Sequence, residues 1–302
     1  MKVFLVFWCV IVTCVACVKA DGQNITDKQR VELSIECENI HYVGFPMFVN
    51  IKVTNANTQI ASLPEWDILD AYPPITLTIY DEKEKSFSTK LHKLAFIRGE
   101  VETERGPRPI LKKMWTLDSK KSRNKIVNIA PLLESLKLPT GKYKMQLFLW
   151  DKINSMVGYT PQISIEIVKS NDKDIELLGR SLPDFDPLHY NIPNLKIEVG
   201  QISTEMSNGA YKQASFLYLL SEVYSAKNIV DLKLDKYKQF SPSFLLPEID
   251  VFKYEILIAD NDKDKAKQIK ENILKKYPEL EWQLKEVENG NGYIAKIKAV
   301  NK

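Results

Sequence analysis

Four carboxylates, Asp260, Asp262, Asp264 and Glu271, stand at positions 1, 3, 5 and 12 of a calcium-loop spacing, the pattern by which hard oxygen donors wrap one cation. Position 6 of that loop needs glycine for its sharp turn and here is Lys265, while Lys267 takes the usual apolar place. The acids therefore read as the start of a helix, with Asp262 as its N-cap and the macrodipole favouring negative charge. Asp184, Asp186 and His189 offer a metal two carboxylates and an imidazole. Only His41 and His92 remain to add a second imidazole, and a proline-rich segment is poorly preorganised, so no metal ligand is assigned. Cys37 falls on the apolar side of an alternating run, the place of a core side chain and not of a nucleophile. The chain has no G-x-S-x-G elbow, H-E-x-x-H pair or glycine-rich phosphate loop, the motifs that would carry acyl transfer, zinc hydrolysis or nucleotide binding. Glu100, Glu102 and Glu104 are carboxylates of the kind a glycosidase uses, but they read as an acid-rich loop. No catalytic residue and no cofactor is assigned. Among the aromatics, Trp150 ends a strand and reads as core. Trp66 and Tyr72 sit together in a long insert, where exposed rings stack on sugars or anchor protein partners. They are the candidate binding residues.

The N-terminus sets the compartment. Lys2 precedes an apolar run from Val3 to Cys17, and Val18 and Ala20 are the small residues at −3 and −1 of a cleavage site. Residues 1–20 thus read as a secretory signal cleaved after Ala20, with a run too short to be a membrane anchor. Cys17 follows Ala16 and is a candidate for lipidation, but Cys14 stands where a lipoprotein signal places Leu, so the free secreted or periplasmic form is preferred. Asn24-Ile25-Thr26 is a glycosylation sequon if the source is eukaryotic. Removing the signal takes Cys9, Cys14 and Cys17 with it and leaves Cys37 alone, so no intrachain disulfide is expected. Removal of Lys2 and Lys19 leaves 42 − 2 = 40 basic against 39 acidic side chains. That balance gives no basic stripe for phosphates and excludes nucleic acid as a partner.

From residue 30 to 169 the apolar period is two. Leu33, Ile35 and Cys37; Val49, Ile51 and Val53; Ile75, Leu77 and Ile79; Tyr143 to Leu149; and Ile163, Ile165 and Ile167 each alternate with polar residues. Weaker runs lie near Leu94, Trp115 and Ile126, and turn residues at Gly44, Pro73, Gly106 and Pro139 separate the strands. The count and spacing suggest two packed sheets. The run Tyr42-Val43-Gly44-Phe45-Pro46 with Val49 to Asn55, and later Leu138-Pro139-Thr140-Gly141-Lys142-Tyr143, resembles immunoglobulin-like domains of secreted bacterial proteins. There a GxP turn opens a strand ending in Asn, and a PxGxY turn opens a late strand. The resemblance implies an immunoglobulin-like β-sandwich over 21–169 and carries no catalytic residues.

Residues 170–198, with Pro183, Pro187 and Pro193, read as a linker or strap. Over 199–302 the period becomes helical, with faces at Phe216, Leu217, Leu220, Val223 and Tyr224; at Ile249, Phe252, Ile256 and Ala259; and at Ala266, Ile269, Ile273 and Tyr277. The short Asp260–Asp262 connection makes the last two an antiparallel hairpin. With Ala266 and Pro278 it resembles a single tetratricopeptide unit, although Lys270 stands where a large apolar residue belongs. Residues 282–300 read as a β-hairpin, or as a helix ended at Gly290.

The fold class expected is therefore mixed, a sandwich followed by a mostly helical region. The function expected is that of an exported, non-enzymatic protein that binds another envelope or secreted protein, with no transmembrane segment after signal removal. The alternatives are a carbohydrate-binding module using Trp66 and Tyr72, and a hydrolase with a site not visible in the sequence.

Overall fold

Alternating apolar residues form the strands of the N-terminal half, and the helical periods form helices in the C-terminal half. The computed structural model describes residues 31–64, 74–89, 98–101, 108–111, 114–151, 155–187, 192–226 and 232–295. Among these, the first strands are β1 (Val31–Cys37), β2 (Ile40–Tyr42), β3 (Phe48–Asn55), β4 (Ala61–Pro64), β5 (Ile75–Tyr80) and β6 (Ser86–Ser88). There follow β7 (Arg98–Val101), β8 (Arg108–Leu111), β9 (Met114–Leu117) and β10 (Ser122–Asn128), helix α1 (Ala130–Ser135), and β11 (Gly141–Asp151), β12 (Ser155–Tyr159) and β13 (Ile163–Val168). The helices continue as α2 (Asp172–Ser181), α3 (Val199–Glu205), α4 (Asn208–Ser225), α5 (Asp235–Lys238), α6 (Leu246–Ala259), α7 (Lys263–Lys276) and α8 (Glu281–Glu288).

Strands β1, β3 and β10 make one antiparallel sheet; a second runs β2-β13-β11-β5-β6, with β12 paired to β11. Smaller pairs are β4 with β9 and β7 with β8. Period-two alternation turns Leu33, Val49, Ile51 and Val53 of the first sheet into one cluster with Leu77, Ile79, Met145, Leu147, Leu149, Ile165 and Ile167 of the second. Each such side chain, fully buried, contributes roughly 1.5–3 kcal/mol. The sheets meet closely where β12 passes β1. A Cβ on Gly158 would lie 2.7 Å from the Val31 carbonyl oxygen, so only glycine lets the two backbones approach there.

The outer face of the first sheet is also covered. Phe48 and Ile126 leave it, with Phe45, to join a second cluster made by α2 to α6, and Phe48 meets Phe216 of α4 edge-on at 5.0 Å between centroids. Helix α4 is buried along most of its length, as befits a helix apolar on several faces. The helical cluster therefore reaches across 170–198 to Phe45, Phe48 and Ile126 of the β region. That segment, read as a linker, contains α2, whose Leu177 and Leu178 lie in the cluster with Leu182. Asn171 caps α2 by accepting from the Lys173 N–H, and the buried Asp174 accepts from the Ser207 backbone at 2.9 Å and from its hydroxyl at 2.6 Å. Part of the segment is strap-like, because Ile192, Leu195 and Ile197 pack on the same cluster.

Helices α6 and α7 pack together across the Asp260–Asp262 turn, and Asp262 caps α7 through the Lys265 N–H. A third cluster joins Val251 and Tyr254 of α6, Ala266 and Ile273 of α7, Leu280, and Leu284 and Val287 of α8. The β-hairpin reading of 282–300 is corrected over 282–295, and residues 296–300 lie outside the described residues. Leu284 and Val287 are spaced for one helix face and bury together, and a turn with Gly290 at φ +75° follows α8. No helix among the described residues is long and apolar enough to cross a membrane.

Candidate binding cleft

The outward positions of the first sheet change from apolar to polar along β3 and β10. Phe48 is followed on that face by Asn50, Lys52 and Thr54. On β10 the corresponding row is Ile126, Asn124 and Ser122, with Asn124 opposite Lys52 and Ile126 opposite Asn50. Helix α4 seats on the apolar end. At the polar end the helical region meets the sheet through the 278–280 turn and Trp282, and open space remains on either side of that contact. The result is an opening between the sheet and the last helices.

Residues 278–280, a single 3-10 turn anchored by the fully buried Leu280, cross this opening. Glu279 of that turn receives a long contact, 3.5 Å, from the Asn124 amide nitrogen. It lines both compartments of the cleft. One compartment, about 570 Å³, is lined by Lys52, Lys120, Lys121, Arg123 and Lys285 against Asp118, Glu279 and Glu281, with Trp282 beside them. The other, about 540 Å³, is lined by Glu36, Glu38 and Glu279 with Asn50, Asn124, Phe244 and Tyr277, and by no lysine, arginine or histidine. Basic and acidic halves thus sit side by side, each of the size of an ordinary ligand pocket.

The basic half has a rigid wall. The Arg123 guanidinium lies 4.8 Å from the Trp115 ring and 4.7 Å from the Trp282 ring, and the Lys125 ammonium stands 5.8 and 5.1 Å from the same two indoles. Lys125 is buried. Cations over indole faces are attracted by the ring quadrupole, more so when shielded from water. This stack ties edge strand β10 to α8 and fixes Trp282 at the mouth. In the acidic half, Asn50 and Asn124 are 7% and 8% exposed. The Asn50 amide donates to Glu36 at 3.0 Å. The carbonyl oxygens of both asparagines are buried and accept no hydrogen bond.

The residues suspected of chemistry from sequence fall elsewhere. Cys37 is half-buried at the end of β1 and lines the acidic half; burial, then the neighbouring Glu38 charge, pushes its thiol up to about 12. A thiol held that high is a poor nucleophile. His41 is buried, with Nε2 3.3 Å from Glu134 and Nδ1 3.0 Å from the Gln213 amide. Glu134 also accepts from the Gly44 N–H, and Gln213 from the Tyr42 N–H. Both imidazole nitrogens are thus engaged in joining β2, α1 and α4. Of the calcium-loop acids, Asp262 is used as a cap. No group of three or more His, Cys, Asp or Glu among the described residues is arranged to hold a metal. Trp150 is half-buried and donates to the Thr76 hydroxyl at 2.9 Å. Trp66, Tyr72, His189, Glu102, Glu104, Cys17 and Ala20 lie outside the described residues.

Sequence reading missed Asn50, Asn124, Glu279 and Trp282. The alternation in β3 and β10 marks the first two as outward-facing; nothing local says that a turn more than 150 residues later covers them.

No protein-family model and no curated relative matches the chain. Among solved structures, a β-glucosidase from Listeria innocua is similar over 47% of this chain and 16% of its own length, at 9% identity and a TM-score of 0.23. An alkylpurine DNA glycosylase from Pseudomonas fluorescens, bound to DNA containing an abasic-site analogue, is similar over 47% of this chain and 31% of its own, at 8% identity and a TM-score of 0.25. A CARDB domain from Pyrococcus furiosus, in complex with di-metal ions, is similar over 47% of this chain and 90% of its own, at 11% identity and a TM-score of 0.22. The chain thus spans about a sixth of the glucosidase and under a third of the glycosylase. At such scores these likenesses carry nothing about what the chain does.

Proposed function

We propose that this is an exported, non-enzymatic binding protein, an immunoglobulin-like sandwich with helices docked on it, and that it holds a segment of another envelope or secreted protein in the cleft between them. The observation that carries the reading is the polarised cleft itself, with cations beside Trp282 in one half and carboxylates with unpaired amide oxygens in the other. Opposed charges on two sides of one groove select the direction and register of a partner segment more than they add raw affinity. A non-enzymatic role also suits Cys37 and His41, since the one has a raised thiol pKa and the other has both ring nitrogens occupied within the fold. Export rests on the signal-like residues 1–20.

The test is capture from the envelope and secreted fractions of the source cell with tagged residues 21–302, beside a variant carrying Glu36→Arg and Lys121→Glu. Both positions are exposed, so the charge reversals leave the fold intact. A stoichiometric protein retained by the parent chain and lost by the variant is the expected result. Equal retention by both, or turnover of a generic ester, glycoside or peptide substrate, overturns the reading.

A further inference from the structure

We propose that Asn291 is a site of spontaneous covalent modification, where attack by the Gly292 amide converts it to isoaspartate and unlatches the residues that Glu255 holds. The chain carries three Asn-Gly pairs, Asn208-Gly209, Asn289-Gly290 and Asn291-Gly292. Such a pair is reactive because glycine, with no Cβ, lets its amide nitrogen swing against the asparagine side chain. The fold sorts the three. Asn208 begins α4, where helical backbone fixes the next N–H along the axis. Asn289 closes α8 with ψ at 2°, and the Gly290 N–H is held by the Val287 carbonyl at 3.0 Å. At Asn291 the side chain is exposed and, like the Gly292 N–H, makes no hydrogen bond among the described residues. Only there are both reacting groups unheld.

The Gly292 nitrogen gives its proton to hydroxide and bonds to Asn291 Cγ; the Cγ–N bond of the side-chain amide breaks, and its nitrogen leaves as ammonia. Water then opens the cyclic imide. Cleavage at Cγ gives aspartate, and cleavage at the main-chain carbonyl gives isoaspartate, whose backbone runs through Cβ and is longer by one methylene. That methylene falls beside a tight contact, because a Cβ on Gly292 would collide with the Glu255 carboxyl. The buried Glu255 accepts from the Ile294 N–H at 3.0 Å and the Ala295 N–H at 2.9 Å, donors that the start of a helical turn leaves without carbonyl partners. Tyr293 and Ile294 lie in the helical cluster, with the Tyr293 ring stacked on Phe252 at 5.7 Å. Lengthening the main chain just before Gly292 shifts these groups off Glu255. Ordinary aspartate, on an exposed side chain, leaves them in place.

The test incubates residues 21–302 at mildly alkaline pH and follows the tryptic peptide 286–296, which holds both Asn289 and Asn291, and the peptide holding Asn208. Mass spectrometry with electron-transfer fragmentation separates aspartate from isoaspartate. Asn291 is expected to convert first, mostly to isoaspartate, with half of it changed before Asn289 or Asn208 shows measurable loss. Asn291→Gln, whose longer side chain closes a less favourable ring, should abolish that conversion at an unchanged melting temperature. In the aged parent, hydrogen exchange at Ile294 and Ala295 should quicken by about tenfold or more, as loss of a hydrogen bond to a charged group predicts. Asn291→Asp should exchange there like the fresh parent. Equal or faster conversion of Asn289 or Asn208, or survival of Asn291 in the folded chain while it converts in urea, overturns the proposal. Exchange at Ile294 and Ala295 that stays slow in the isoaspartate form, or that Asn291→Asp quickens equally, overturns the latch.

Discussion

Glu134 is the residue whose electrostatics are most clearly set by the fold. Burial works to raise its pKa, but the hydrogen bond from His41, the Gly44 N–H and the His41 charge outweigh it, and the net shift is downward from 4.5. A carboxyl with a lowered folded pKa contributes stability that is present above its unfolded value and is lost as the pH falls through the lowered one. The urea midpoint of the parent protein should therefore drop as the pH falls below about 4.5, and Glu134→Gln should flatten that part of the profile. An unchanged acid limb in the variant would remove Glu134 from the account. None of this was legible in the sequence. His41 stands out there only as one of three histidines, because Glu134 and Gln213 are 93 and 172 residues away. The same distance problem hid the cleft asparagines, which in sequence are polar residues on the outward side of a strand.

Elements were far more legible, since strands and helices announce themselves by period. Val49, Ile51 and Val53 gave β3, Tyr143 to Leu149 gave β11, and Ile249, Phe252 and Ile256 gave the buried face of α6. Asp262 reads as a cap from sequence, and it caps. Helix α2 is masked in the sequence by the three prolines that follow it, Pro183, Pro187 and Pro193. Its own signals were present in Asn171 as cap and in Leu178 and Leu182 at helical spacing. The C-terminal residues allowed either strand or helix, and burial of Leu284 and Val287 beside Leu280 decided for helix. The close approach of β12 to β1 gives a test at this scale. Gly158→Ala places a methyl group within 2.7 Å of the Val31 carbonyl, and the backbones must part. The variant should lose about 1–3 kcal/mol in urea unfolding, whereas parental stability would mean that the two strands do not meet there.

For the whole molecule, the boundary drawn at 170–198 from composition leaves one apolar cluster wholly in the β region but is crossed by the helical one. Phe45, Phe48 and Ile126 belong to strands and loops of the β region yet pack among the helices, which no periodicity in either half reveals. The full mature chain should accordingly unfold in one cooperative transition, followed by calorimetry and near-ultraviolet circular dichroism. Residues 21–169 alone should expose those side chains and bind a hydrophobic dye. Two resolved transitions, or a dye-silent fragment, would show two independent units. The cleft is a product of the same docking, because one wall comes from the β region and the other from the C-terminal helices. Hydrogen exchange of residues 21–302, with and without the captured partner, tests most directly whether that cleft is where binding occurs. Slowed exchange should be confined to the outer edges of β3 and β10, residues 278–280 and the start of α8. Protection elsewhere, with these segments unchanged, would contradict the account.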